Sequence, residues 1–145
     1  MSETANSVHG EKLLYTGTTH TVGGRDHGVA RSDDGQLEVK FTPPGSGRPG
    51  TNPEQMLAAG WSACFEGALE FVARKRRVVF SADPAIDAEI DLNSGPDGFF
   101  LRARLNVSLP GIARDTAQAL VEEAHKVCPY SKALSKGIDI TVTLV

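Results

Sequence analysis

Apolar and polar side chains alternate along two stretches of the chain, residues 85–93 and residues 101–109. A period of two is typical of a strand with one buried and one exposed face. The segment between them, residues 93–98, holds two glycines and a proline, which favour a turn. The pattern therefore predicts an antiparallel β-hairpin that is exposed on one side.

Other segments also have the composition of strands. Residues 12–22 are rich in Thr, Leu, Tyr and Val, and residues 138–144 alternate apolar with polar side chains. Residues 29–32 and 37–41 flank an Asp-Asp-Gly run, which is typical of a hairpin turn. The glycine-rich segment 23–28 is predicted to be a turn or loop.

The strongest helix signal lies in the middle of the chain. Asn52 is a good N-cap, Pro53 suits the first helical position, and Gln55 stands where a capping box needs Glu or Gln. The predicted helix runs to about Arg76, and its apolar residues cover most of its circumference. Such a helix is normally buried. One sheet covers only one side of it in a chain this small, so we expect the other side to meet a partner subunit.

A second helix is predicted over residues 112–127. Pro129 disfavours helical geometry at Cys128 and can open a further short helix. The order of strands, helix, strands, helix and strand predicts an α+β fold. A length of 145 residues fits one domain, which we expect over residues 12–145 after a flexible tail of residues 1–11.

Composition narrows the classes of function. The net charge is −3 and the pI is about 5.8, which does not suit binding to a nucleic-acid backbone. No stretch approaches the ~18 apolar residues of a membrane span, and the N-terminal residues have no apolar signal-peptide core. We therefore expect a cytoplasmic protein without nucleic-acid or membrane partners.

The two cysteines, Cys64 and Cys128, are the main candidates for chemistry. A cytosolic pair is more often catalytic or redox-active than structural, although two unrelated buried thiols remain the alternative. A thiolate is the reactive form, so each needs a cationic or dipolar neighbour. The N-terminus of a helix starting at Pro129 could serve Cys128. Arg25 and Arg48 are candidate cations, and a solvated loop arginine is the alternative for each.

Several segments resemble the organic hydroperoxide resistance (Ohr) family of the Ohr/OsmC superfamily. The resemblance spans roughly residues 12–145, and order and spacing agree as well as motif. The matching segments are Gly23-Gly24-Arg25-Asp26, Thr51-Asn52-Pro53-Glu54-Gln55, the run from Ala58 to Phe65, Leu109-Pro110-Gly111, and the run from His125 to Ala133.

The resemblance implies a role for each matching residue. Cys64 matches the peroxidatic cysteine and Cys128 the resolving cysteine. Arg25 matches the arginine that holds the thiolate and orients the peroxide, and Glu54 the carboxylate that pairs with that arginine. The chemistry so implied needs no bound metal, flavin or haem.

The resemblance also implies a fold and partners. The family fold is an intertwined homodimer in which antiparallel sheets wrap long central helices, with active sites at the subunit interface. The implied substrates are alkyl and fatty-acid hydroperoxides. The implied reductant is an external dithiol, the dihydrolipoyl group of a lipoylated protein.

The sequence departs from the family pattern in three places: Trp61 replaces Tyr or Phe, Met56-Leu57 replaces Leu-Phe, and His27 interrupts an Arg-Asp-Gly run. The first two keep apolar character and so concern substrate shape. Six apolar residues could line a pocket for alkyl chains, with plain core packing as the alternative. They are Met56, Leu57, Trp61, Phe65, Phe99 and Phe100.

One expectation comes from helical geometry. Glu54 and Cys64 lie ten positions apart, which is ~15 Å along a continuous helix. Both therefore cannot touch one arginine of the same chain. Our hypothesis is that Arg25 and Glu54 reach Cys64 of the partner subunit, so that activity requires a dimer.

Two other functions remain open. The sister OsmC branch has the same cysteine chemistry, but residues 52–55 and Arg25 favour Ohr. A thiol redox sensor or lipid-binding module is the non-enzymatic alternative, and no residues are left over for the effector domain that a sensor usually needs.

Overall fold

The computed structural model describes residues 10–145. The chain divides into two compact units, one ending at Pro53 and one running from Glu54 to Val145. The predicted tail over residues 1–11 lies almost wholly outside the described residues, and the single domain over residues 12–145 stays a prediction. Among the described helices, none combines the length and the apolar character needed to cross a bilayer.

The first unit is a small antiparallel sheet of three strands that lie side by side in chain order. Its elements are β1 (Thr19–Val22), the one-turn helix α1 (Gly24–His27), β2 (Val29–Ser32) and β3 (Glu38–Lys40). The predicted hairpin over residues 29–41 is confirmed, with a hydrogen bond of 2.9 Å from Ser32 N to Leu37 O.

Two expectations for this unit were wrong. The first strand covers Thr19–Val22 and not residues 12–22, because β2 offers only four residues for it to pair with. The segment 23–28 is not a simple loop but contains α1. Gly23 and Gly24 take φ values of 97° and 77°, which favour glycine. The turn then closes through a 2.9 Å bond from Gly28 N to Gly24 O.

The second unit packs helices against one long hairpin. Its elements are α2 (Pro53–Lys75), β4 (Ala85–Gly95), β5 (Gly98–Ser108), α3 (Arg114–Val127) and α4 (Pro129–Lys136). The three predicted helices are confirmed in order and approximate extent. The predicted β4–β5 hairpin is also confirmed, but its turn is shorter than residues 93–98. Asn93 pairs with Phe100 and Gly95 with Gly98, because the φ of 108° at Gly98 allows a tight reversal.

The last predicted strand, residues 138–144, was wrong for the chain as described. No regular structure is assigned to residues 137–145. Ile140 is 69% exposed and Leu144 is 98% exposed. A strand needs a neighbouring strand for its backbone hydrogen bonds, and within residues 10–145 this segment has none. Alternating apolar residues were therefore not sufficient to make this segment a strand.

The core of the second unit lies between α2 and α3. Leu69 and Val72 of α2 and Leu120 and Ala124 of α3 are fully buried. The hairpin adds half-buried apolar side chains to this cluster, including Ile86, Leu105 and Val107. A buried Leu of this kind stabilises the fold by about 2 kcal/mol relative to an exposed one. The core therefore fixes the face of α2 that turns toward α3.

As expected for a chain this small, only one side of α2 is covered within the single chain. Ala59, Ala63 and Gly67 are exposed, and Phe71 is 48% exposed. The reason is geometric, because α3 and the hairpin cover one side of the helix only. Coverage of the other side by a partner subunit stays a prediction.

Candidate active site

The fold brings the two cysteines together. Cys64 lies in the middle of α2 and Cys128 at the junction of α3 and α4, 64 positions along the chain, and their Sγ atoms are 3.5 Å apart. Both are free thiols. A disulfide has an S–S length of about 2.05 Å, so the sulfurs are in contact and need to close by only ~1.5 Å to bond.

Local sequence explains how Cys128 reaches this position. Its φ of −60° and ψ of 122° are extended, as expected for a residue before proline, and they end α3 and begin α4. Its backbone N–H donates to Ala124 O at 2.8 Å. Its side chain caps α4, where Sγ accepts from Ser131 N at 3.5 Å. The Cys128 thiol is thus held, fully buried, at the positive end of a helix.

A second pair of side chains joins the same two helices. The indole Nε1 of Trp61 in α2 donates to Ser131 Oγ in α4 at 3.0 Å. Ser131 is 1% exposed. One position earlier on α2, a Cβ added to Gly60 would lie 2.9 Å from Tyr130 Oη. Glycine therefore gives the tyrosine ring room beside the cysteines.

The environment of the second unit favours the neutral form of Cys64. Burial raises the pKa of its thiol above the ordinary value of 9.0, and the neighbouring Cys128 raises this pKa further. A backbone hydrogen bond from Tyr130 acts in the opposite direction and lowers the pKa. We expected an arginine to lower it. In the folded chain burial outweighs the Tyr130 hydrogen bond and the pKa of Cys64 is raised, so these contacts as a whole do not favour the thiolate.

The remaining predicted catalytic residues are placed on separate elements. Arg25 lies in α1, and Glu54 lies in the first turn of α2. The helix is continuous from Pro53 to Lys75, so Glu54 and Cys64 are separated by ~15 Å along its axis. Arg48, the other candidate cation, donates from Nη2 to the backbone oxygen of Asp26 at 3.1 Å. The roles of Arg25 and Glu54 stay predictions.

The predicted pocket residues fall into three environments. Met56, Leu57 and Trp61 are half-buried in the N-terminal half of α2. Phe65 is 3% exposed and belongs to the core, with its ring centroid 6.5 Å from that of His125, which favours the packing interpretation. The other two, Phe99 and Phe100, lie at the tip of the β4–β5 hairpin and are 82% and 41% exposed. A substrate-binding role for any of the six stays a prediction.

Sequence reasoning missed Ser131 and Tyr130 as members of the site. Both occur in the Cys128–Ala133 run, which marked the region but not the contacts. The Trp61–Ser131 bond joins residues 70 positions apart, so no local sequence pattern predicts it. Trp61 was predicted as a departure from the family pattern and as a pocket residue, but not as a hydrogen-bond donor to Ser131.

Comparison with known proteins decides the family. The model of the OsmC-like protein family matches residues 44–143. An organic hydroperoxide resistance protein of Xanthomonas axonopodis pv. citri (strain 306) is 41% identical over 138 residues, covering 92% of this chain and 96% of the relative. The chain belongs to the organic hydroperoxide resistance branch of the OsmC-like family.

Solved OsmC-like structures agree with this membership. The organic hydroperoxide resistance protein OhrB of Bacillus subtilis superposes with a TM-score of 0.79 at 39% identity, covering 88% of this chain and 96% of that one. A second such protein, from Legionella pneumophila, gives a TM-score of 0.80 at 38% identity, with coverages of 88% and 95%. The expected α+β fold with antiparallel sheets is therefore confirmed, because this chain has the same architecture as these two proteins.

Proposed function

We propose that this chain is a thiol peroxidase that reduces organic hydroperoxides to alcohols. The observation that carries the proposal is the 3.5 Å contact between Cys64 Sγ and Cys128 Sγ. The family supports the class of substrate, because the relatives are organic hydroperoxide resistance proteins. A cytoplasmic location is part of the same proposal, since the reaction starts from reduced thiols, which that compartment maintains.

The chemistry has three balanced steps. The Cys64 thiolate attacks the terminal oxygen of the hydroperoxide, so that an S–O bond forms, the O–O bond breaks and the alcohol leaves after taking a proton. Cys64 is now a sulfenic acid. The Cys128 sulfur attacks Cys64 Sγ, so that an S–S bond forms, the S–O bond of the sulfenic acid breaks, and the hydroxide leaves as water with the proton of the Cys128 thiol. An external dithiol then reduces the disulfide by exchange and is itself oxidised to a disulfide.

The two cysteines differ in exposure in the way these steps require. Cys64 is half-buried and Cys128 is fully buried. A peroxide from solvent therefore has access to Cys64, whereas Cys128 reacts only with a group already inside the fold. This difference supports Cys64 as the attacking residue and Cys128 as the resolving one.

Arg25 and Glu54 complete the proposal. Burial raises the pKa of Cys64, so the proposed enzyme needs a guanidinium to favour the thiolate, and the resemblance assigns that role to Arg25. Glu54 would hold the guanidinium through paired hydrogen bonds. The ~15 Å between Glu54 and Cys64 along α2 supports a site in which Arg25 and Glu54 serve Cys64 of the partner subunit in a homodimer.

Steady-state turnover tests the activity. Consumption of cumene hydroperoxide is measured with dihydrolipoamide and its reductase, for the wild type, Cys64→Ser and Cys128→Ser. We expect sustained turnover in the wild type, none in Cys64→Ser, and loss of dithiol recycling in Cys128→Ser. A wild type that reacts once and stops under these conditions would instead be a redox sensor. Equal multi-turnover activity in all three proteins would end the proposal.

The two-subunit site has its own test. Subunits carrying Cys64→Ser and subunits carrying Arg25→Ala are co-expressed, and the mixed dimer is isolated with two different tags. If Arg25 acts across the interface, one site of the mixed dimer has both residues intact, and activity returns. If Arg25 acts within its own chain, every site lacks one residue. An inactive mixed dimer, or a fully active wild-type monomer at high dilution, would contradict the shared site.

A further inference from the structure

We propose that Trp61 and Ser131 are positioning residues that hold the resolving thiol of Cys128 against Cys64. The inference rests on the proposed function, in which Cys128 must reach the Cys64 sulfenic acid quickly. It concerns a partly buried hydrogen bond between α2 and α4 that involves neither reacting sulfur. The bond is the 3.0 Å contact from Trp61 Nε1 to Ser131 Oγ.

The Trp61–Ser131 bond lies next to the contact between the two cysteines. Trp61 precedes Cys64 by three positions on α2, and Ser131 follows Cys128 by three at the start of α4. Residues three apart lie on the same face of a helix, one turn from each other. The Trp61–Ser131 bond and the Cys64–Cys128 contact are therefore two adjacent connections between the same two helix segments.

Ser131 also connects directly to the resolving sulfur. Its hydroxyl oxygen accepts from Trp61, while its backbone N–H donates to Cys128 Sγ at 3.5 Å. Ser131 is 1% exposed and Cys128 is fully buried, so water has little access to the acceptor atom of either bond. A shift of Ser131 away from Trp61 moves the N–H that holds the sulfur. The indole of α2 thus fixes where the Cys128 thiol sits relative to Cys64.

This placement matters because the sulfenic acid can react in two ways. With Cys128 it forms a disulfide and releases water. With a second hydroperoxide it is oxidised to the sulfinic acid, which thiols do not reverse, and the peroxide is reduced to a second alcohol. Two connections between the same segments support each other, because forming one removes the disorder that opposes the other. Loss of the Trp61–Ser131 bond is therefore expected to lower the effective concentration of Cys128 at Cys64.

The test uses the full-length protein and three variants: Ser131→Ala, Trp61→Phe and the double variant. Ser135→Ala is the matched control, because Ser135 lies on the same helix and is exposed. The first readout is the equilibrium between the Cys64–Cys128 disulfide and dithiothreitol. The net contribution of one neutral hydrogen bond corresponds to a factor of about five in an equilibrium constant. We therefore expect the equilibrium constant for forming the Cys64–Cys128 disulfide to fall by about five-fold in each single variant. The double variant should resemble the single ones, because all three break the same bond.

The second readout is the fraction of Cys64 sulfinic acid after treatment with excess cumene hydroperoxide, measured by mass spectrometry. We expect it to rise in the three variants and to stay at the wild-type value in Ser135→Ala. A general loss of stability does not by itself shift the dithiol–disulfide equilibrium of folded molecules. Wild-type equilibria in both single variants, or effects that add in the double variant, would overturn the inference.

The first readout also separates this inference from the proposed function. The dithiothreitol equilibrium needs no hydroperoxide, so it reports on positioning even if the wild type consumes none. An absence of peroxide turnover with a five-fold effect would reject the peroxidase and keep the positioning role. Turnover in the wild type with no effect of either substitution would do the reverse.

Discussion

Oxidation of the cysteine pair is expected to stabilise the chain substantially. Cys64 and Cys128 are 64 positions apart, so a disulfide between them closes a long loop and restricts the unfolded chain. The native chain already holds the two sulfurs 3.5 Å apart. The bond therefore forms with little rearrangement of the fold, and most of the entropic gain should appear as stability.

The size of the effect follows from the loop length. The loop-entropy relation gives about 4 kcal/mol at 25 °C for a loop of this length. For a chain of this size, 1 kcal/mol corresponds to a shift of roughly 3 °C in Tm. Oxidised protein should therefore unfold on the order of 10 °C above reduced protein.

The assay is thermal unfolding followed by circular dichroism, with and without dithiothreitol. Cys64→Ser and Cys128→Ser serve as controls, and each should show the same Tm in both conditions. Free thiol titration confirms which form is present. If the oxidised wild type has the same Tm as the reduced form, or a lower one, bonding the two sulfurs distorts the native packing. That result would contradict the expected stabilisation by the disulfide.

Three further outcomes follow from particular contacts. Leu69→Ala, which empties a fully buried core position, should lower the free energy of unfolding by about 2–5 kcal/mol in a urea titration, and a loss under 1 kcal/mol would contradict its place in the core. Gly60→Ala should raise the free energy of unfolding by up to ~1 kcal/mol through helix propensity, but only if the half-exposed Tyr130 ring moves away from the added methyl group. The free energy of unfolding and the fluorescence of Tyr130 should therefore change together. Arg104 holds the carboxyl pKa of Asp91 below 3.8. That stability is present above the unfolded pKa and is lost as pH falls through the folded pKa, so Asp91→Asn should weaken the acid dependence of Tm below about pH 4, and an unchanged profile would rule the pair out.

Elements with a complete local signal were predictable from the sequence. The N-terminal residues of α2 and the alternation of β4 and β5 each carry their own evidence, so the helix and the hairpin were found near their observed limits. The segment 138–144 has the same alternation, but no strand lies beside it in the part of the chain that the structure describes. A strand forms only where a neighbouring strand accepts its backbone hydrogen bonds, and the sequence of one segment does not reveal whether such a neighbour is present.

The site divides in a similar way. Two cysteines within recognisable motifs were enough to select Cys64 and Cys128. The contact between Trp61 and Ser131 depends on how α2 and α4 pack across 70 positions, which no pattern in either segment encodes. The direction of the Cys64 pKa shift was also out of reach, because it is set mainly by burial in the folded chain.

The most direct test of the two-cysteine mechanism is a single-turnover reaction mapped by mass spectrometry. Reduced wild type and Cys128→Ser each receive one equivalent of cumene hydroperoxide, followed by dimedone to trap sulfenic acid. The proposed mechanism predicts a Cys64–Cys128 disulfide in the wild type and a dimedone adduct on Cys64 in the variant. An adduct on Cys128 in the wild type, or no modification of Cys64 in either protein, would contradict it.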